Sequence, residues 1–169
     1  CDVPLLEDGT TVTYVQVSAG YGHTVLLRSD GQAVAFGNND DGQCNVPHLE
    51  DGVTYVQVSA GGDHTLLLRS DGQAVACGFN GDGQACGSNG HGRCDVPLLE
   101  DGVTYAQVSA GGFHTLLLRS DGQAVACGSN GDGRCDVPLL EAACGSNGHG
   151  RCDVPLLEDG VTYVQVSAG

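Results

Sequence analysis

The chain has 169 residues, among them 28 glycines, no methionine and no tryptophan; six arginines against 21 acids give a formal net charge of −15. Nucleic-acid recognition starts from a basic footprint, so direct DNA or RNA binding is disfavoured, and so is adsorption to an anionic membrane. No apolar run approaches the roughly 18 residues of a membrane-spanning helix.

Read in order, the chain is a set of copies. Residues 1–43 form a first unit, lengthened by Thr10 and Thr11 after Gly9, and residues 44–84 and 94–134 form two units of 41. A stub, 85–93, separates the second from the third and matches only a unit's tail. After an unfinished start at 135–141 comes a second stub, 142–151, and a partial unit, 152–169, ends the chain. A unit copied in tandem builds a scaffold whose neighbours bury one another's faces, whereas a catalytic site is made once. The chain does not begin with methionine, which suggests a fragment or a processed product.

Within a unit, Tyr55-Val56-Gln57-Val58-Ser59-Ala60 alternates. A strand follows, with Val56, Val58 and Ala60 on one face and Tyr55, Gln57 and Ser59 on the other. His64-Thr65-Leu66-Leu67-Leu68 is apolar on both faces, as in a strand covered on both sides. Ser70-Asp71-Gly72-Gln73 predicts a tight type I′ hairpin, and Gln73 to Cys77 the return strand. Gly78 and the loop Phe79 to Gly83 end the unit, and Pro47 or Pro97 restrains the next connector. No segment has a helical apolar period. The stubs lack the hairpin and are expected to be irregular loops. A three-strand sheet with two sticky faces needs a neighbour on each, which radial stacking into propeller blades supplies. The expected fold class is therefore all-β: a partial or open β-propeller of about three to four blades, with few or no helices.

The unit pattern V-S-A-G-G-x-H-T-L-L-L-R-S-D-G-Q-A-V-A-C-G-x-N-G-D-G-Q resembles the repeat of the regulator-of-chromosome-condensation family. The matching positions are His64-Thr65, Asp71-Gly72, Cys77-Gly78 with Asn80, and Gly83-Gln84. The short unit with its Val-Pro connector is most similar to compact bacterial propellers of the β-lactamase-inhibitor type. Where the family has tryptophan, this chain has Phe36, Cys77 or Cys127, so tryptophan-based light sensing cannot operate. Family propellers have seven blades, and seven such units exceed the 169 residues present.

His23, His64 and His114 occupy one repeat position, each followed by threonine. They are expected to be structural, their ring nitrogens bonding backbone groups in the turn, because one site repeated identically argues packing. Ser18, His23 and Asp30 have the residue types of a hydrolase triad but recur in every unit without a nucleophile elbow, so no catalytic residues are assigned. Of the nine cysteines, 86/94, 127/135 and 144/152 form Cys-x7-Cys pairs, not the closer spacing of zinc sites. They are expected to act as small buried hydrophobes, with no metal site. The acidic turns Asn38 to Gly42 and Asn80 to Gly83 lack the spaced ligands of a calcium loop.

Variation among near-identical copies points to a binding face. The residue before His-Thr changes from Gly22 to Asp63 to Phe113; Tyr21 replaces Gly62 and Gly112; and the tail loops differ at Asp41, Phe79, Ser129 and Arg134. Loops on a rigid scaffold carry recognition, and exposed aromatics are preferred anchors. Tyr21, Asp63, Phe79, Phe113 and Arg134 are the candidate partner-binding residues. The expected function is a non-enzymatic protein-binding scaffold without cofactor, binding a protein and neither nucleic acid nor membrane, and able to self-associate because the ring is incomplete. The alternatives are the propeller segment of a larger HECT-type ubiquitin ligase, or nucleotide exchange on a small GTPase. The compartment is left open, with cytoplasm or nucleus favoured.

Overall fold

The computed structural model describes residues 3, 4, 6, 11–80, 92–129, 135 and 165–167. Among them are nine strands and no helix: β1 (Tyr14–Ala19), β2 (His23–Arg28), β3 (Ala33–Gly37), β4 (Tyr55–Ala60), β5 (His64–Arg69), β6 (Ala74–Gly78), β7 (Tyr105–Ala110), β8 (His114–Arg119) and β9 (Ala124–Gly128). They form three antiparallel sheets in the orders β1-β2-β3, β4-β5-β6 and β7-β8-β9. Each sheet is a blade, and the blades stack as an open all-β propeller.

The middle strands are apolar on both faces and buried on both: Leu66 and Leu67 are 0% exposed. Burying each such side chain contributes about 1.5–3 kcal/mol. Val25 and Leu27 of the first blade pack with Tyr55, Val58, Ala60 and Leu67 of the second, joined by Val46 and Leu49 of the connector. Leu66 and Leu68 repeat this against Tyr105, Val108, Ala110 and Leu117, with Val96 and Leu99.

The strict alternation expected of the first strand does not hold. In β4, Tyr55 pairs with Arg69 and Gln57 with Leu68, so Val56 is the extra residue of a β-bulge. The bulge returns Tyr55 to the face of Val58 and Ala60, and leaves Val56 50% exposed while Tyr55 is 3% exposed. The same shift occurs in β1 and β7. Tyr55 is anchored there because its hydroxyl donates to the carbonyl of Pro47, as Tyr105 does to Pro97 and Tyr14 to Pro4.

The hairpin is where the sequence places it but is one residue longer than a type I′ turn. The Arg69 amide donates to the Gln73 carbonyl and the Gly72 amide to Arg69, enclosing Ser70, Asp71 and Gly72. Gly72 holds φ at 79°, the left-handed residue of a three-residue loop. The Asp71 carboxylate closes the loop by accepting from the Gln73 amide and from Arg69.

Side chains of each first strand join it to the next. Gln16 donates from Nε2 to the Val58 carbonyl and accepts the Val58 amide at Oε1, both at 3.0 Å. Gln57 does the same to Val108, and Gln107 to Val166. Ser18 and Ser59 accept the amides of Ala60 and Ala110. Segment 165–167 thus meets β7 as β7 meets β4.

Candidate functional site

Strand direction gives each blade two ends. The turn before His-Thr and the loop after the third strand lie together at one end, here the loop end, and the Asp-Gly hairpins lie at the other. At the loop end, Nε2 of His23 lies 2.9 Å from Oγ1 of Thr65 in the next blade, and Nε2 of His64 lies 3.0 Å from Oγ1 of Thr115. Thr65 donates its own proton to the Gln43 carbonyl and Thr115 to that of Arg93, both at 2.7 Å. Each hydroxyl must therefore accept from the ring, which fixes the Nε2–H tautomer. The histidines bond a side chain of the neighbouring blade rather than a backbone group of their own turn. Burial lowers the pKa of both. That of His64 falls to about 3, chiefly through desolvation and then through the charges of Arg93, His23 and His114. The shift at His23 is opposed by Asp63.

Ser18, His23 and Asp30 are not assembled into one site. Ser18 accepts the Ala60 amide, His23 meets Thr65, and Asp30 pairs with Arg28 at the hairpin end. Cys77, Cys94, Cys127 and Cys135 are buried and Cys44 is half-buried, all as thiols. Burial pushes the Cys44 pKa up. Among the described residues no group of three or more His, Cys, Asp or Glu is placed to hold a metal ion.

The structure brings four of the five candidate residues together. Tyr21 from the first unit and Phe113 from the third meet edge to face, with centroids 6.2 Å apart and planes at 76°. Tyr21 crosses the backbone of both other units: a Cβ on Gly62 would lie 3.1 Å from its ring, and one on Gly112 only 2.4 Å from its hydroxyl. Glycine at those two positions is what seats the tyrosine. Phe79 and Phe113 flank a residue the sequence reading missed, Arg93, whose guanidinium carbon lies 4.7 Å from one ring centroid and 5.1 Å from the other. Arg93 is 5% exposed and donates from Nε to the Phe113 carbonyl. Desolvation lowers its pKa, and Asp63, Cys94, Asp41 and Tyr21 oppose that shift. Arg134 lies outside the described residues, as do residues 85–91 and the second stub.

By residue count Arg93 falls in the stub 85–93, yet it fills the place that Gln43 fills in the first unit. Each carbonyl receives a threonine hydroxyl, and each following cysteine amide donates to an asparagine, Asn39 for Cys44 and Asn80 for Cys94. Gly42 and Gly92 both adopt positive φ, 82° and 65°. Gln84, the tail residue expected from counting, is not followed by cysteine. The frame Gly-x-Cys-x-Val-Pro, shared by 42–47 and 92–97, is the signal that identifies Arg93.

Both ends carry exposed acids, Glu50, Asp51, Glu100 and Asp101 standing in the connector turns at the hairpin end, but the paired arginines lie at that end alone among the described residues. Arg28, Arg69 and Arg119 each pair at 2.5 Å with the aspartate two residues on, Asp30, Asp71 and Asp121, at the hairpin end. At the loop end Asp40, Asp41, Asp63 and Asp95 form no ion pair among the described residues.

Comparison with known proteins adds the family. The Regulator of chromosome condensation (RCC1) repeat matches residues 14–43, 55–84 and 105–134. No curated protein sequence matches the chain. The structure of human WBSCR16 is similar over 94% of this chain and 43% of its own, at 26% identity and a TM-score of 0.65. Prp20p of Saccharomyces cerevisiae is similar over 75% of this chain and 32% of its own, at 24% identity and a TM-score of 0.57. The CRINKLY WD40 ectodomain of the Arabidopsis thaliana receptor kinase ACR4 is similar over 70% and 41%, at 22% identity and a TM-score of 0.51. The chain spans less than half the length of each of these structures.

Proposed function

The chain belongs to the regulator of chromosome condensation repeat family, and on that premise we propose that it is a non-enzymatic scaffold that recognises a protein through the loop end of its blades. The observation that carries this is the meeting of Tyr21, Phe79, Phe113 and Arg93, contributed by all three units, on a framework that is otherwise nearly identical from copy to copy. Rings held on a rigid base present large apolar area at small entropic cost, which suits a binding anchor. Tyr21 is 71% exposed and Phe113 43% exposed, although both are large hydrophobic residues. No helix among the described residues is long and apolar enough to cross a membrane. The reading requires no cofactor.

Prp20p, with binding properties toward Gsp1p and histones, lends its fold and not those partners, since its identity to this chain is 24%. The exchange-factor and ligase readings rest on no described residue. A photoreactive benzoylphenylalanine placed at Tyr21, and separately at Gln32 on the hairpin end, tests the proposal in cell extract. Protein adducts are expected from position 21 and not from position 32. Equal adducts from both positions, or none from position 21, would remove the loop end as the recognition surface.

A further inference from the structure

We infer that the partner of the loop end is a basic segment, and that it seats an arginine or lysine side chain on the Tyr21–Phe113 ring pair beside Asp63. This rests on the recognition role proposed above and adds the chemistry of the partner.

Three observations carry it. First, both ends carry exposed acids, Glu50, Asp51, Glu100 and Asp101 standing in the connector turns beside the hairpins, but the acids of the loop end surround the ring cluster. Each arginine of the hairpin end already holds an aspartate. The one described arginine of the loop end, Arg93, is 5% exposed beneath its rings. An approaching partner therefore meets Asp40, Asp41, Asp63 and Asp95, on a chain of net charge −15 whose field attracts cations at long range. Second, the rings of this cluster already bind a guanidinium. Arg93 lies against Phe79 and Phe113, so the negative ring face is in use as a cation site on the inner side. The side of the Tyr21–Phe113 pair turned to solvent offers the same chemistry outward, with Tyr21 71% exposed. Third, the alternatives meet a cost here. An acidic or phosphate-bearing partner would be pressed against the aspartates while the one described arginine nearby, Arg93, is covered. A purely apolar partner would cover Asp63 and Asp41 and leave them only the guanidinium of Arg93, itself beneath the rings, as a described counter-charge. A cationic side chain satisfies ring and carboxylate together.

The test uses the whole chain and a labelled peptide of Gly-Ser-Arg repeats, with peptides of the same length carrying Gln, Glu or Leu in place of Arg, read by fluorescence anisotropy. The arginine peptide is expected to bind and the others to bind at least about fivefold more weakly. Tyr21→Ala and Asp63→Asn should each weaken it about fivefold, while Asp30→Asn and Asp71→Asn change it less than about twofold. Thermal midpoints of the variants check that they remain folded, and Phe113→Ala gives a second ring deletion. Absence of binding by the arginine peptide overturns the inference. So does binding insensitive to Tyr21→Ala and Asp63→Asn, which marks diffuse attraction to an acidic protein. If the leucine peptide binds more tightly and is lost in Tyr21→Ala, the cationic partner falls and the loop end stands as the recognition surface.

Discussion

β1 and β4 carry the same six residues, Tyr-Val-Gln-Val-Ser-Ala, with the same bulge and the same glutamine bridge to the blade that follows, yet they live in different surroundings. Val58 is 1% exposed and its counterpart Val17 is 67% exposed. The difference lies in what stands on the other side. β4 is covered by Val25 and Leu27 of the first blade, whereas among the described residues no blade covers β1. A blade of this type is therefore half a core, and its inner strand becomes interior only when the second strand of another blade lies on it.

The largest effect expected from this contrast comes from placing the same charge at both positions. Val58→Asp buries a carboxylate without a partner and should cost more than about 4 kcal/mol, enough to unfold the chain, whereas Val17→Asp should cost less than about 0.5 kcal/mol. Urea melts of the two variants decide it. A cost at Val17 equal to that at Val58 would mean that the β1 face is covered in solution by a second copy.

Acid sharpens the contrast next. His64 stands between two blades, and its folded pKa is about 3 against an ordinary 6.5, so the unfolded chain takes up a proton that the folded chain refuses. Stability is complete above pH 6.5 and falls as the pH drops from there toward 3. The loss is expected to be on the order of a few kcal/mol by pH 4. Urea midpoints between pH 7.5 and 4 should decline for the native chain and decline less steeply in His64→Asn, the remaining slope coming in part from His23. An equal slope in the variant would place the effect in other groups.

The smallest effect belongs to the hairpin end, where inner and outer blades are alike. Arg69 and Asp71 are 21% and 36% exposed as side chains, so Asp71→Asn should cost less than about 1 kcal/mol, and Asp30→Asn in the uncovered first blade about the same. A larger loss in one blade than in the other would show that the hairpins, too, sense their neighbours.

Much of this architecture is legible in residue order. The strands follow from β-branched and apolar runs, and the hairpin from Asp-Gly. The bulge is not legible, because Tyr55 and Val58 share a face only when Val56 is left unpaired, and the phenol's bond to Pro47 sets that choice. Tyr21, Asp63, Phe79 and Phe113 stand out as differences between copies, but their meeting does not, since they are spread over three units. Arg93 was hidden by an arithmetic of equal lengths. Eleven residues, 81–91, stand between Asn80 and Gly92 where only Asp40 and Asp41 stand in the first unit. Hydrogen bonding follows the Gly-x-Cys frame rather than the count.

Sequence alone determined the family, the three-strand unit and the residues that break its repetition, because each of these depends on short-range pattern: period-two apolarity, turn formers and fixed spacing. Tertiary structure alone decided which copy of an identical strand is interior, which threonine each histidine bonds, and that a tyrosine of one unit rests on glycines of the other two. These are contacts between units. Identical sequences cannot encode different surroundings, so the surroundings must come from what is stacked on them.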